Sequence, residues 1–365
     1  MEKRKNIAVV CLTAAFLLGF LLWSLWKPDD MVSVSERRKL AQKPELTLSS
    51  VLRGDFMTEF ETYVLDQFPL RDSFRRLKAV TLLDVLREKD NNGIYVADGF
   101  AAKLDPSIDE ASVQHAADRF QLIFDRYLAG TDAKVYAAVI PDKNAFLAQQ
   151  NGYPSYAHAE LSALLAQNMP YAAMIDLTPA LSLDSYYHTD LHWRQEALLP
   201  VAWTLAEALG VTLTEDYETI TAEQPFYGVY CGQSALPLEP DTLRYLTNDK
   251  LRGCTVYDYE TGSELPVYDL QQLAGEDPYA VFLSGSKSLL TITDPAATTD
   301  RELVIFRDSF ASSLAPLLVG AYAKITLVDI RYLQPERLGS WLTFGDQDVL
   351  FLYSAPVLNS SETIR

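Results

Sequence analysis

The sequence predicts an α/β fold built on a mostly parallel sheet with helices on both faces. Three observations predict it. From Lys134 to Leu209, strand-like and helix-like stretches alternate, and that alternation implies parallel strands joined by crossover helices. The alternation resumes from Ala280 and closes on Val349-Leu350-Phe351-Leu352-Tyr353, a continuous apolar run suited to a strand buried on both faces. Between a strand ending at Phe306 and a helix beginning at Phe310 stand Asp308 and Ser309, at the carboxyl edge where open α/β sheets place ligands.

The elements follow in chain order. Lys3, Arg4 and Lys5 precede a charge-free run from Ile7 to Trp26, about the 20 residues that span a bilayer as a helix. Trp23 and Trp26 fit an interfacial aromatic belt, and the leading basic residues place residues 1–6 in the cytoplasm. The expectation is an uncleaved signal anchor over 7–26, with the remainder outside the cell membrane; a cleaved signal peptide is the competing reading. Residues 27–50 are polar, with Pro28 and Pro44, and read as a stalk, followed by one extracytoplasmic domain over 51–365. Apolar residues at Phe56, Phe60, Val64 and Leu65 predict a short amphipathic helix within Gly54–Phe68. Phe74, Leu77, Val80, Leu82, Val85 and Leu86 predict another over Arg71–Glu88, ended by the turn chemistry of Asn91-Asn92-Gly93. Ile94–Val96 and Ala101–Leu104 predict a hairpin around Asp98-Gly99.

Helix is predicted over Ile108–Leu128 and Ala157–Gln167, and strand over Lys134–Ile140 and Tyr171–Leu177. A further helix within Thr189–Leu209 ends at Gly210. Residues 212–273 break the pattern and read as an irregular insertion rich in Tyr, Pro, Gly and Asp. Strands are then predicted over Ala280–Leu283, Leu303–Phe306, Ile325–Val328 and Val349–Tyr353, with helices over Phe310–Val319 and Pro335–Leu342.

Charge and cysteines narrow the function classes. The formal net charge of −18 disfavours nucleic acid as a partner, because phosphate neutralisation needs clustered Lys and Arg. No phosphate-cradling loop appears, which argues against phosphoryl transfer, and no cofactor is expected. Cys11 falls in the span. Cys231 and Cys254 are either one disulfide or two thiols, because sequence cannot test the geometry a disulfide needs.

The chemistry concentrates in Tyr187-His188-Thr189-Asp190-Leu191-His192-Trp193, which holds two of the four histidines. Attack by a serine on an ester needs a base near neutral pKa, and histidine is the usual one. The base needs a carboxylate to fix its tautomer, and Asp190 stands two residues from His192. Ser309 at a strand-to-helix turn is a candidate nucleophile, with N–H groups of the following helix as oxyanion donors. Two other readings stay open. Asp308 or Ser309 can be a plain helix cap, and His188, Asp190 and His192 can be three ligands of a metal site. His115 and His158 lie in predicted helices and read as surface or packing residues.

The same residues carry a family resemblance. Tyr187-His188-Thr189-Asp190-Leu191-His192-Trp193 resembles the signature of the DHHW proteins, with Leu191 in place of that signature's first histidine. The resemblance extends to Asp66-Gln67-Phe68-Pro69-Leu70-Arg71, Ile140-Pro141-Asp142-Lys143, Phe226-Tyr227-Gly228, Pro240-Asp241, Arg307-Asp308-Ser309-Phe310 and Asp329-Ile330-Arg331-Tyr332. DHHW proteins are similar to the alginate O-acetyltransferases of the AlgX and AlgJ kind. That similarity implies a three-layer α/β/α sandwich, SGNH-hydrolase-like (flavodoxin-like), and a triad in which the Asp-x-His pair precedes the nucleophile. Residue by residue, it implies Ser309 as nucleophile, His192 as base and Asp190 as its orienting group. It implies O-acyl transfer, acetyl foremost, to a cell-surface or exported polysaccharide, with a membrane-bound O-acyltransferase as the partner supplying acyl groups. Gly285 and Ser286 stand where that family has oxyanion donors, with Ser286 at the position of an expected amide. Arg331 and Tyr332 are candidates to line an acceptor groove, and Trp193 to stack on a sugar. An esterase removing the same groups, and a non-catalytic glycan-binding scaffold, are the alternatives.

Overall fold

The computed structural model describes residues 2–365, so Met1 of the expected cytoplasmic tail lies outside them. The chain divides into two compact units, one of residues 1–92 with 231–238, the other of residues 93–230 with 239–365.

The first unit opens with a 25-residue helix, Glu2–Trp26, whose side chains are almost all exposed. It is long and apolar enough to cross a membrane. Three helices follow at Leu48–Arg53, Asp55–Asp66 and Arg71–Val80, the last running on as a π-helical segment over Thr81–Val85. Residues 27–50, expected as an open stalk, are instead pinned to the second and third of these helices. The Asp66 carboxylate accepts two hydrogen bonds from Arg38 (2.8 and 2.6 Å) and one from the Ala41 N–H (2.9 Å). Those bonds, led by the Arg38 side chain, lower the Asp66 pKa to about 2. Gln67 donates to the carbonyls of Asp30 and Ala41, and Glu36 pairs with Arg71 at 2.6 Å. These directed bonds offset the conformational entropy lost in ordering the segment.

The second unit is α/β. Its sheet has eight strands: β1 (Lys134–Ile140), β2 (Ala173–Ile175), β3 (Thr255–Asp258), β4 (Ser263–Leu265), β5 (Leu289–Thr293), β6 (Glu302–Arg307), β7 (Lys324–Val328) and β8 (Asp348–Ser354). The order is β4-β3-β5-β7-β6-β8-β1-β2. The pairs from β7 through β6, β8 and β1 to β2 are parallel, whereas β5, β3 and β4 join antiparallel at one edge.

Two cores flank the sheet, and the pleat assigns residues to each. Ala138, Ile140, Ile305, Leu350 and Leu352 face one core with the helix Leu199–Leu209. Ala137, Val139, Val304, Phe306, Phe351 and Tyr353 face the other with the helices Glu110–Ile123 and His158–Asn168. Successive residues of a strand point to opposite faces, so a strand buried on both needs apolar residues throughout. β6 and β8 have them, which makes three layers.

The structure corrects the sequence reading at four places. The stretch 212–273 is not wholly irregular, because β3 and β4 extend the main sheet and Glu218–Phe226 pairs with Asp241–Thr247. Residues 280–283 form no strand. Pro278–Val281 is a 3-10 turn, with Pro278 at its first position and the Asp277 carboxylate accepting from the Tyr279 N–H. The strand β5, paired on both sides by β3 and β7, has no counterpart among the predicted elements. The helix after Ser309 is α-helical only over Ala311–Leu314 and continues as 3-10 over Ala315–Ala321, because Pro316 has no N–H to give to an α-helical ladder.

Candidate active site

β6 ends at Arg307, and the chain turns at the carboxyl edge of the sheet. Asp308 holds that turn: its carboxylate accepts from the N–H groups of Phe310 (3.0 Å) and of Ser354 at the end of the neighbouring β8 (2.7 Å). Asp308 therefore holds the turn that leads into the helix, whose N-cap is Phe310 with no side-chain cap, so neither Asp308 nor Ser309 is a plain helix cap. Ser309 is half-buried between buried neighbours.

The second segment arrives as a closed loop. Tyr186 and Trp193 pair across its neck, with the Tyr187 N–H donating to the His192 carbonyl (3.1 Å) and the Arg194 N–H to that of Ser185 (2.8 Å). The loop delivers His192 to Ser309. Nε2 of His192 lies 2.8 Å from the serine Oγ, and Nδ1 lies 2.7 Å from Oδ1 of Asp190. The other Asp190 oxygen accepts from the Val229 N–H at 2.8 Å, while Oδ1 also accepts from the His192 N–H at 3.1 Å. The carboxylate is thus acceptor to three donors, which fixes its plane. The imidazole lies flat on Tyr279, with ring centroids 3.9 Å apart and planes 10° apart. The Tyr279 hydroxyl is hydrogen-bonded to Ser313, which also takes the Trp193 indole N–H at 2.9 Å.

This arrangement can do proton-coupled nucleophilic chemistry. With the Nδ1 proton held on the Asp190 side, Nε2 is an acceptor facing a hydroxyl, as a general base must be.

The loop is supported from beneath by residues to which sequence reading gave no role. Lys143 is fully buried and its ammonium donates to three carbonyls, those of Ala101 (2.9 Å), Tyr187 (2.6 Å) and Asp190 (2.6 Å). Three protons meet three acceptors, two from the loop and one from the strand Phe100–Lys103, so the charge is solvated by backbone carbonyls. Burial pushes its pKa down to about 8, while three carbonyl acceptors at hydrogen-bond distance favour the protonated form. The Asp241 carboxylate accepts from the N–H groups of His188 and Thr189 (2.8 Å each) and from the Thr189 hydroxyl (2.6 Å). Gly228 donates its N–H to the Thr189 hydroxyl at 2.8 Å. A Cβ there would stand 2.2 Å from the Thr189 carbonyl oxygen and 2.4 Å from the Asp190 nitrogen. Only glycine permits that approach. Lys143, Gly228 and Asp241 each belong to a motif that carried the family resemblance, and that was the signal available for them.

Gly228→Ala is therefore expected to lower stability by about 3 kcal/mol, since backbone rather than a flexible side chain must yield. It is expected to lower turnover as well, by pulling the Val229 N–H from Asp190. Thermal unfolding and an esterase assay check both. Gly253→Ala, where the added carbon meets nothing within 4 Å, is the neutral control.

Other predicted site residues are placed differently. Trp193 is fully buried with its indole N–H committed to Phe310 and Ser313, so it packs the core and has no face to offer a sugar. Arg331 is locked by two bonds to Asp329 (2.9 and 2.7 Å), which leaves its neighbour Tyr332, half-exposed, as the accessible member of that pair. Leu283, Ser284 and Gly285 adopt φ of 54°, 57° and 82° in succession, a left-handed run that non-glycine residues adopt only under constraint. The Gly285 N–H donates to the Phe282 carbonyl at 3.2 Å, and Ser286 is exposed. The metal reading is not supported by geometry. His188 turns from Asp190 and His192, with its Nδ1 3.1 Å from Asp241 and its ring stacked on Phe100. No group of three ligand side chains suited to a metal occurs among the described residues. Cys231 and Cys254 are not joined in a disulfide. The Cys254 sulfhydryl donates to the Lys250 carbonyl, and burial raises its pKa to about 11.

The geometry defines a class: an α/β protein with a Ser-His-Asp constellation at the carboxyl edge of its sheet. Solved structures place it further. A DHHW family protein from Eubacterium siraeum is similar at a TM-score of 0.63 and 22% identity, over 75% of this chain and 95% of that one. Bacillus cereus PatB1 is similar at TM-scores of 0.56, in a structure with a sulfonyl adduct, and 0.55 without it. The identity is 17% over 73% of this chain and 95–96% of PatB1. No family model matches the sequence, and no curated protein does. The fold is thus the one the DHHW resemblance implied.

Proposed function

We propose that this chain is an O-acyltransferase, anchored in the cell membrane by Ile7–Trp26, that carries an acyl group on Ser309 and delivers it to a hydroxyl of a surface or exported polysaccharide. One observation carries the reading: Ser309 Oγ, His192 and Asp190 stand in a continuous hydrogen-bonded relay, 2.8 and 2.7 Å long at its two links. The similarity of the fold to a DHHW protein supports it.

In the first half-reaction the serine oxygen attacks the acyl carbonyl and His192 Nε2 takes its proton. The bond to the donor's leaving group breaks, and the imidazolium returns the proton to that group. In the second, a sugar hydroxyl attacks the seryl ester, His192 accepts the hydroxyl proton, and the Ser309 oxygen leaves with it. Acetyl is the group the family resemblance favours, and a membrane-bound O-acyltransferase is the donor partner it implies. Tyr332 remains a candidate to line the acceptor groove, and the left-handed Leu283-Ser284-Gly285 run to shape the site near Ser286.

The test is the full chain incubated with 4-nitrophenyl acetate, alone and with an oligosaccharide acceptor, followed by mass analysis of protein and sugar. Acetyl on Ser309 and on sugar is expected; acetate alone in the presence of acceptor identifies an esterase, and no acyl-enzyme with no turnover identifies a scaffold. PatB1 is recorded with a sulfonyl adduct, which motivates a second measurement. Phenylmethylsulfonyl fluoride is expected to sulfonylate Ser309 with loss of fluoride, and the label to vanish in Ser309→Ala. A label that persists in that variant contradicts the assignment.

A further inference from the structure

The helices Asp55–Asp66 and Arg71–Val80 expose apolar edges within the first unit. On one helix Met57, Phe60 and Val64 are exposed, and on the other Phe74 and Leu77 with Leu70 just before it; Leu77 is 61% exposed. The spacings of three and four residues place each set on a single side. The opposite sides are committed to the tether: Asp66 holds Arg38, and Arg75 pairs with Glu36 at 3.1 Å. A soluble protein rarely leaves two adjoining helical edges apolar without something to cover them.

Two observations identify the cover. Phe20 of the long N-terminal helix stacks on Phe68 with ring centroids 5.3 Å apart and 3° between planes, and meets Phe74 edge-on at 5.7 Å. Phe20 lies six residues before the end of that helix at Trp26, which at 1.5 Å per residue is about 9 Å inside the apolar run. Whatever medium surrounds Phe20 therefore also reaches Phe68 and Phe74. Charge points the same way. Residues 27–92 hold 12 Lys and Arg against 12 Asp and Glu, so this stretch is balanced in a chain of net charge −18. A balanced segment can approach lipid headgroups without the repulsion that the acidic remainder would meet.

We propose that the helices Asp55–Asp66 and Arg71–Val80 lie in the membrane interface, with the Met57–Phe60–Val64 and Leu70–Phe74–Leu77 edges among the lipid acyl chains beside the spanning helix. Helices with one apolar and one charged side take this position. The inference rests on the reading of Ile7–Trp26 as a bilayer span. It makes residues 27–92 a membrane-seated platform and not a stalk.

The test uses the full chain reconstituted in phosphatidylcholine nanodiscs, with p-benzoylphenylalanine placed singly at Leu77, Phe60, Thr62 or Leu17. Irradiation is expected to give phosphatidylcholine adducts at Leu17, Leu77 and Phe60, and none at Thr62 on the far side of its helix. Adducts at Leu17 with none at Leu77 and Phe60, or with crosslinks there to a second copy of the chain, overturn the interfacial placement and leave the span standing. No lipid adduct at Leu17 overturns the span and the placement together.

Discussion

Ser309→Ala is expected to abolish acyl transfer from 4-nitrophenyl acetate, by on the order of 10⁴-fold or more, while leaving the protein folded. The two effects separate because of how the hydroxyl is bound. Its hydrogen bond is to His192 Nε2 at 2.8 Å, and the residue is only half-buried. Deleting the hydroxyl leaves an imidazole nitrogen that water can reach, at a cost of about 1 kcal/mol. The turn itself is held by Asp308, whose carboxylate binds Phe310 and Ser354, and that bond pair survives the substitution. A structural serine would give the opposite result, with turnover near the parent value and a lowered Tm. His192→Ala is expected to match Ser309→Ala in turnover, and the double variant to be no worse than either, because a relay broken once is not broken further. Additive losses would show that the two side chains act separately.

How much of this site was legible depended on whether a residue's role is local or long-range. Asp190 and His192 sit two apart, and the loop that turns them together is closed by its own neck, so their pairing could be read from the segment. Ser309 could be placed at the carboxyl edge because the apolar run of β6 is unmistakable. Lys143 could not be read in the same way. Its task is to meet three carbonyls that come from Ala101, Tyr187 and Asp190, and backbone acceptors leave no trace in side-chain patterns. Gly228 is similar: the collision that requires a glycine is with backbone nearly 40 residues away in the chain. Trp193 shows the reverse failure. An aromatic beside a catalytic histidine invites a sugar-stacking role, but the neck of the loop points it inward, where Phe310 and Ser313 take its indole N–H. Of the three antiparallel strands, β3 and β4 left no pattern because they have only four and three residues, and the strand predicted at 280–283 yielded to the cap made by Asp277 and Pro278. The polar stretch 27–50 read as a stalk because the carboxylate that pins it, Asp66, lies in the second helix after it.

Asp190→Asn is the substitution that tests the relay's proton placement, and it is expected to cost on the order of 10³- to 10⁴-fold in turnover with the fold retained. The argument is one of donors and acceptors. Asp190 offers acceptors on both oxygens, Oδ1 to the His192 ring and backbone N–H groups, Oδ2 to the Val229 N–H. A carboxamide has one oxygen and one NH₂. If its oxygen faces His192, its NH₂ confronts the Val229 N–H, donor against donor, and the loop must shift. If its oxygen faces Val229, its NH₂ faces Nδ1, which must then become the acceptor. The ring proton moves to Nε2, toward Ser309, and the imidazole can no longer take the serine proton. Either orientation disables the base without creating a cavity, so loss of stability is expected to stay within about 2 kcal/mol. Proton NMR distinguishes the mechanisms. The parent is expected to show a downfield Nδ1–H resonance from the short bond to Asp190 that disappears in the variant. A variant that keeps both that resonance and parental turnover would show that Asp190 holds the loop and has no part in the chemistry.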